Sequence, residues 1–208
     1  MSVTETQEMI RGPAGNLQAV TARPGTVAGV AVICHPHPLY GGTLHNKVVH
    51  YLARTLNELG IATVRFNFRG VEKSAGEYAQ GRGEQDDCRA VIDWARGWQP
   101  DRPLWLAGFS FGAYVALAVA RESAPAQLIT VAPPVTVFSF EDIALPDSPW
   151  LLIQGLEDEV VPAQAVLDWA RDCRPPPEIV ALDGVSHFFH GRLNLLRQTL
   201  LERLGQPR

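Results

Sequence analysis

The sequence predicts an α/β fold, a mostly parallel, doubly wound sheet of about seven or eight strands flanked by helices on both faces. Three observations predict it. Short apolar runs rich in branched side chains alternate with longer segments whose apolar positions recur every three to four residues. Hydrophobic residues make up 46% of the 208 and charged residues 19%, which supplies a sizeable core at a length suited to one domain over 1–208. No linker, composition shift or internal repeat divides the chain.

Each element follows from its residues. The pieces around 7–22, broken by Gly12, Pro13 and Gly15, read as an antiparallel hairpin at one edge. VAGVAVI at 27–33 is nearly continuous in apolar residues, the pattern of a strand covered on both faces. From Thr43 to Leu59, the residues Val48, Val49, Leu52, Leu56 and Leu59 trace one helical face, and Gly60 follows where the helix ends. A strand over 61–68, a helix over 84–98, a strand over 103–109 and a helix over 111–123 continue the alternation. Strands over 127–132 and 149–155, a helix over 163–173, a strand over 178–184 and a helix over 190–204 complete it.

Charge and composition exclude several function classes. With a net charge of -4 and arginines scattered without a run, the chain lacks the basic face that a nucleic-acid partner requires. The N-terminus lacks the charged-then-apolar order of a secretory signal, and no apolar run approaches the roughly 18 residues of a membrane span. A cytoplasmic protein that engages no membrane is expected. Cys34, Cys88 and Cys173 are odd in number and widely spaced, which predicts three thiols rather than a disulfide framework or a thiolate zinc site.

Open sheets of this kind place their chemistry beyond the carboxyl ends of the strands, so the loops there carry the candidate residues. After PLWLA comes Gly108-Phe109-Ser110-Phe111-Gly112, and a helical pattern begins at once. That is G-x-S-x-G in its strand-to-helix context, which exposes a serine hydroxyl above the sheet at the positive end of a helix. Nucleotide-binding alternatives need G-x-G-x-x-G or G-x-x-x-x-G-K-[ST], and neither occurs. A serine hydroxyl is a poor nucleophile until an imidazole takes its proton and a carboxylate orients that imidazole. The turn after 149–155 offers Asp158, with Glu157 and Glu159 as neighbouring competitors. The turn after 178–184 offers His187; His190 falls at the start of the last helical pattern and is the rival, and Asp183 is an alternative local orienter. Chain order is therefore Ser110, Asp158, His187.

These residues, together with Cys34-His35-Pro36-His37-Pro38-Leu39-Tyr40-Gly41-Gly42 and the following His45-Asn46-Lys47, give the chain a resemblance to the α/β-hydrolase superfamily, and to a small subgroup of compact bacterial members, over nearly its whole length. The resemblance implies a serine-hydrolase fold and no cofactor. Backbone amides would hold the oxyanion, the first from Phe111. Aligning His37-Pro38-Leu39-Tyr40-Gly41 with the H-G-x-x-G loop of esterases points to Leu39 for the second, with His37 and Tyr40 as alternatives; Pro36 and Pro38 have no N–H to give. Members of the superfamily often carry a cap after the strand that follows the nucleophile helix, but only about 16 residues, Pro133 to Ser148, are available here, so no substantial cap is expected. The segment from Asn67 to Gly83, with Arg69, Lys73, Tyr78 and Arg82, is expected to rim the cleft. The pair His35-x-His37 also suggests a metal, but the further ligands such sites need are missing from the sequence, and no metal is expected.

The function expected is a serine hydrolase of carboxylic esters or thioesters, working on a small-molecule acyl substrate through an acyl-enzyme. Amide or peptide hydrolysis by the same residues, and a non-catalytic binding protein on the same scaffold, are the alternatives.

Overall fold

Among the residues described by the computed structural model, 3–205, eight strands form one sheet in the order β1-β2-β4-β3-β5-β6-β7-β8. The strands β1 (Glu5–Gly12) and β2 (Gly15–Ala22) are the expected hairpin; β2 pairs antiparallel with β4 (Ile61–Phe66). From there β3 (Gly29–Cys34), β5 (Leu104–Phe109), β6 (Gln127–Val131), β7 (Trp150–Gly155) and β8 (Glu178–Leu182) are all parallel. The chain leaves β3 toward β4 on one side and then crosses to β5 on the other, so the loops after β3 and β5 diverge at that point. A crevice opens wherever strand order reverses in this way.

Alternation along the strands divides the core into two layers. Val30, Val32 and Cys34 face one layer, shared with α2 (Arg82–Trp98), α3 (Phe111–Ser123) and α4 (Ala163–Asp172). Ala31 and Ile33 face the other, filled by α1 (Lys47–Glu58) and α5 (Leu193–Leu204). No helix among the described residues is long and apolar enough to cross a membrane.

Several element ends differ from the periodicity, each for a local reason. Helix α1 begins at Lys47 rather than 43 because Asn46 caps it, accepting from Val48 N and Val49 N, while Leu44 N donates to Asn67 Oδ1. Helix α2 begins at Arg82 rather than 84, with the Glu84 carboxylate turned back onto the amides of Ala79 and Gly81. Helix α5 begins at Leu193 rather than 190 because Phe189 and Gly191 take positive φ values of 55° and 68°. The strand expected to run to 68 stops at Phe66, freeing Phe68 N–H for the loop after β3.

Candidate active site

The turn between β5 and α3 is formed by backbone contact. A Cβ at Gly108 would lie 2.1 Å from Gly112 O, and one at Gly112 would lie 2.2 Å from Cys34 O. Only glycine fits at either end of the pentapeptide. Ser110 is forced between them to φ 53°, ψ −120°, a sparsely populated conformation for a residue with a side chain, costing about 1–3 kcal/mol. The rest of the turn holds it there: Ser110 N donates to Val131 O at 2.9 Å, and Ser110 O accepts from Ala113 N and Tyr114 N.

Two loops from further along the sheet converge on this serine. His187, 2% exposed on the loop after β8, sets Nε2 3.1 Å from Ser110 Oγ and Nδ1 2.7 Å from Asp158 Oδ2. A carboxylate facing Nδ1 requires the proton there, which leaves Nε2 as the acceptor for the serine hydroxyl. Asp158 Oδ1 accepts from the amides of Val160 and Val161 at 2.9 and 2.7 Å. Burial works to raise the carboxyl of Asp158, but the bond from His187 and the two amides outweigh it and hold its pKa below the ordinary value. The two loops are also laced together through their backbones: Glu157 N donates to Val185 O and Leu156 N to Leu182 O.

The competing residues take other places. Glu157 and Asp183 are exposed, while Glu159 accepts the backbone N–H of His187 at 3.0 Å and so steadies the histidine without meeting its ring. His190 is exposed in the turn before α5, beside Phe188. Gln154 was not singled out by any motif, yet it is fully buried and donates to Asp158 Oδ2 at 3.0 Å. The available signal was a polar residue ending an apolar strand, four positions before the aspartate.

The loop after β3 departs from the expected donor. Leu39 N donates to its neighbour His37 Nδ1 at 3.2 Å, and Tyr40 N to His37 O at 3.1 Å, so both amides are engaged within the loop. The proline-rich turn closes on itself as a 3-10 turn over Pro38–Tyr40, with His37 as its cap. Among the described residues, the amides of His37 and Phe111 donate to no protein acceptor. With Nδ1 accepting, neutral His37 carries its proton on Nε2 and donates to Tyr78 Oη at 3.1 Å. Burial lowers the pKa of His37, with Glu84 acting in the opposite sense.

His35 is fully buried beneath this loop: Nδ1 donates to Pro36 O at 2.6 Å and Nε2 accepts from Phe68 N at 3.1 Å. Both ring nitrogens are therefore committed to holding the loop. Among the described residues, no group of three or more His, Cys, Asp and Glu side chains gathers as a metal site would require. Cys34, Cys88 and Cys173 are free thiols, with Cys34 and Cys88 in contact at 3.6 Å.

Of the segment 67–83, expected to rim the cleft, Tyr78 meets the loop after β3 through His37. An open groove of about 410 Å³ lies between this segment and the loop after β3, with Leu39, Gly41, Glu72, Glu77 and Tyr78 among its walls; Ser110, Asp158 and His187 do not line it. Arg69 turns inward, meeting both oxygens of buried Asp87 at 3.0 and 2.8 Å, so its charge is compensated within the protein.

A family described as serine aminopeptidase, S33, matches residues 26–144. A solved α/β serine hydrolase without a lid from Xanthomonas campestris is 44% identical, with a TM-score of 0.93 over 100% of this chain and 98% of that one. An α/β serine hydrolase homologue from Coxiella burnetii is 48% identical, with a TM-score of 0.93 over 98% of this chain and 99% of the other. A protein of Rickettsia prowazekii described as uncharacterised is 32% identical over 194 residues, 88% of this chain and 82% of the relative.

Proposed function

The chain belongs to the serine aminopeptidase S33 family of α/β serine hydrolases, in the form that lacks a lid, and from that premise we propose that it cleaves carboxylic esters or thioesters through an acyl-enzyme. One observation carries the acyl-enzyme route: an unbroken row of contacts from Ser110 Oγ through His187 to Asp158, at 3.1 and 2.7 Å.

In the proposed reaction Ser110 Oγ attacks the carbonyl carbon as its proton passes to His187 Nε2, and Asp158 stabilises the resulting imidazolium. The amides of Phe111 and His37 receive the oxyanion; His37 takes the role first assigned to Leu39, because the Leu39 amide is engaged with the imidazole of His37. Collapse breaks the bond to the alcohol or thiol, which leaves with the proton from His187. Water then attacks the acyl-serine along the same route, releasing the acid and restoring the serine. The acyl group meets an apolar rim on the loops around the serine, where Leu39, Val137 and Phe188 are exposed.

A second reading, amide cleavage next to a free amine, is favoured by the family's description as an aminopeptidase. Rates on p-nitrophenyl acetate, an acetyl thioester and alanyl p-nitroanilide separate the two. Ester or thioester turnover well above anilide turnover supports the first reading, and the reverse order supports the second. A fluorophosphonate probe should label the native protein and fail on Ser110→Ala, with turnover lower by about 10⁶-fold in Ser110→Ala and about 10⁴-fold in Asp158→Asn. An unlabelled native protein would mark a binding scaffold. A silent Asp158→Asn beside an inactive Glu157→Gln would move the acid.

A further inference from the structure

Gln154 is the next-to-last residue of β7, buried at the end of a strand whose preceding residues, Trp150 to Ile153, are all apolar. Its side-chain nitrogen faces two acceptors, Gly155 O and Asp158 Oδ2, each at 3.0 Å. Two acceptors at one end fix the orientation of the amide, since the oxygen end has no hydrogen to give. Asp158 Oδ2 is also the atom that meets His187 Nδ1, while Oδ1 is occupied by the amides of Val160 and Val161. A single carboxylate oxygen thus serves two donors. Whatever charge Oδ2 shares with the amide of Gln154 is withheld from the imidazolium that forms during reaction.

We propose that Gln154 is a positioning residue for the reaction, aiming Oδ2 of Asp158 at the imidazole and limiting how firmly the carboxylate holds the imidazolium. The inference rests on the Ser110, His187 and Asp158 roles given above. Gln154 touches neither substrate nor the reacting atoms and acts only through the carboxylate. The bond to Gly155 O would serve a purely local role in closing the strand end; the bond to Asp158 is the one that reaches the chemistry. The other charged or titratable groups around the pair are Glu159, on the backbone N–H of His187, His190 beside Phe188, and Glu157 and Asp183 on the two exposed turns. None of them contacts the Gln154 side chain, so substitution at 154 leaves their bonds in place.

The test is the pH profile of kcat/KM for p-nitrophenyl acetate in Gln154→Met, a substitution that keeps length and removes the donor. With Oδ2 devoted to the imidazole, the imidazolium is held more firmly and the acid limb should move up by about half to one pH unit, with KM nearly unchanged. A folded Gln154→Met whose acid limb stays in place or moves down would overturn the inference. Should that variant not fold, Gln154→Asn, which draws the amide back from Oδ2, decides: an acid limb moved up in the same sense supports the role, and a native limb overturns it. Ser110→Ala is run alongside. Activity retained there would remove the underlying reading, whereas an inert Ser110→Ala with an unaltered Gln154→Met profile removes only the role of Gln154.

Discussion

His35 illustrates how a side chain outside the reaction can set conditions for it. Burial is the main reason its pKa falls from 6.5 to about 3; the bond to Pro36 O raises it and the charge of His37 lowers it further. Between those two values the unfolded chain binds a proton at this position that the folded chain does not. The resulting stabilisation is complete above pH 6.5 and is lost as pH falls toward 3, about 2 kcal/mol of it between pH 6.5 and 5. Asp158, with its lowered pKa, adds a loss of the same sign at lower pH. Urea unfolding from pH 7 to 5 should therefore show a falling free energy in the native protein and a flatter line in His35→Gln. Equal slopes would mean that His35 is not the group responsible. Residues of this kind differ in how legible they are from sequence. Ser110, Asp158 and His187 could be read because each lies just past the end of a strand, where side chains in an open sheet converge. His37, the proposed second donor, could not be separated from Leu39 because the choice depends on which amides the 3-10 turn uses internally, and Gln154 could not be read because its partner is specified only by folded geometry.

At the level of elements, the alternation of strands and helices was legible because every central strand is buried along nearly its full length and every amphipathic helix has one buried face. Helix starts were less so. Periodicity reports which face is buried, whereas the first residue of a helix depends on a cap, and Asn46 and Glu84 cap through bonds that an apolar pattern does not encode. The glycines separate two physical demands on elements. Gly97 is exposed near the end of α2 with nothing near its missing Cβ, so Gly97→Ala should stabilise the protein by about 0.5 kcal/mol, raising Tm by about 1–2 °C. Gly112 is the opposite case. Gly112→Ala would drive a methyl into Cys34 O and push α3 from β3, costing about 2–3 kcal/mol and displacing the Phe111 amide from its proposed oxyanion position. Thermal melts and ester turnover on both variants check the pair, and a Gly112→Ala protein of native stability and rate would show that the contact relaxes without consequence.

Over the whole molecule, the connectivity of the sheet brings the loops after β3, β5, β7 and β8 to one end, and that end is also where apolar side chains remain in water. Of the large hydrophobic residues left exposed, Leu39, Tyr40, Val137, Leu156, Val160 and Phe188 lie on loops at the carboxyl ends of strands, while Met9 on β1 is the exception. Ordinary surface placement would scatter such residues over both ends of the sheet and over the outer helix faces. Their concentration at the end of the sheet that carries Ser110 is accounted for if they contact the acyl group of a substrate that no lid encloses. Leu39 and Val137, at 66% and 62% exposed, are the most exposed aliphatic side chains of this group. Replacing both with serine removes about 1 kcal/mol of apolar contact at each site for a chain long enough to reach them, and almost none for acetate. In the Leu39→Ser, Val137→Ser double variant, KM for p-nitrophenyl octanoate should rise at least about tenfold while kcat changes little and p-nitrophenyl acetate is unaffected. The two substrates measured side by side provide the control: a KM increase of the same size for both would mean that the rim does not discriminate by chain length, and the apolar side chains would then belong to some other contact at this end of the sheet.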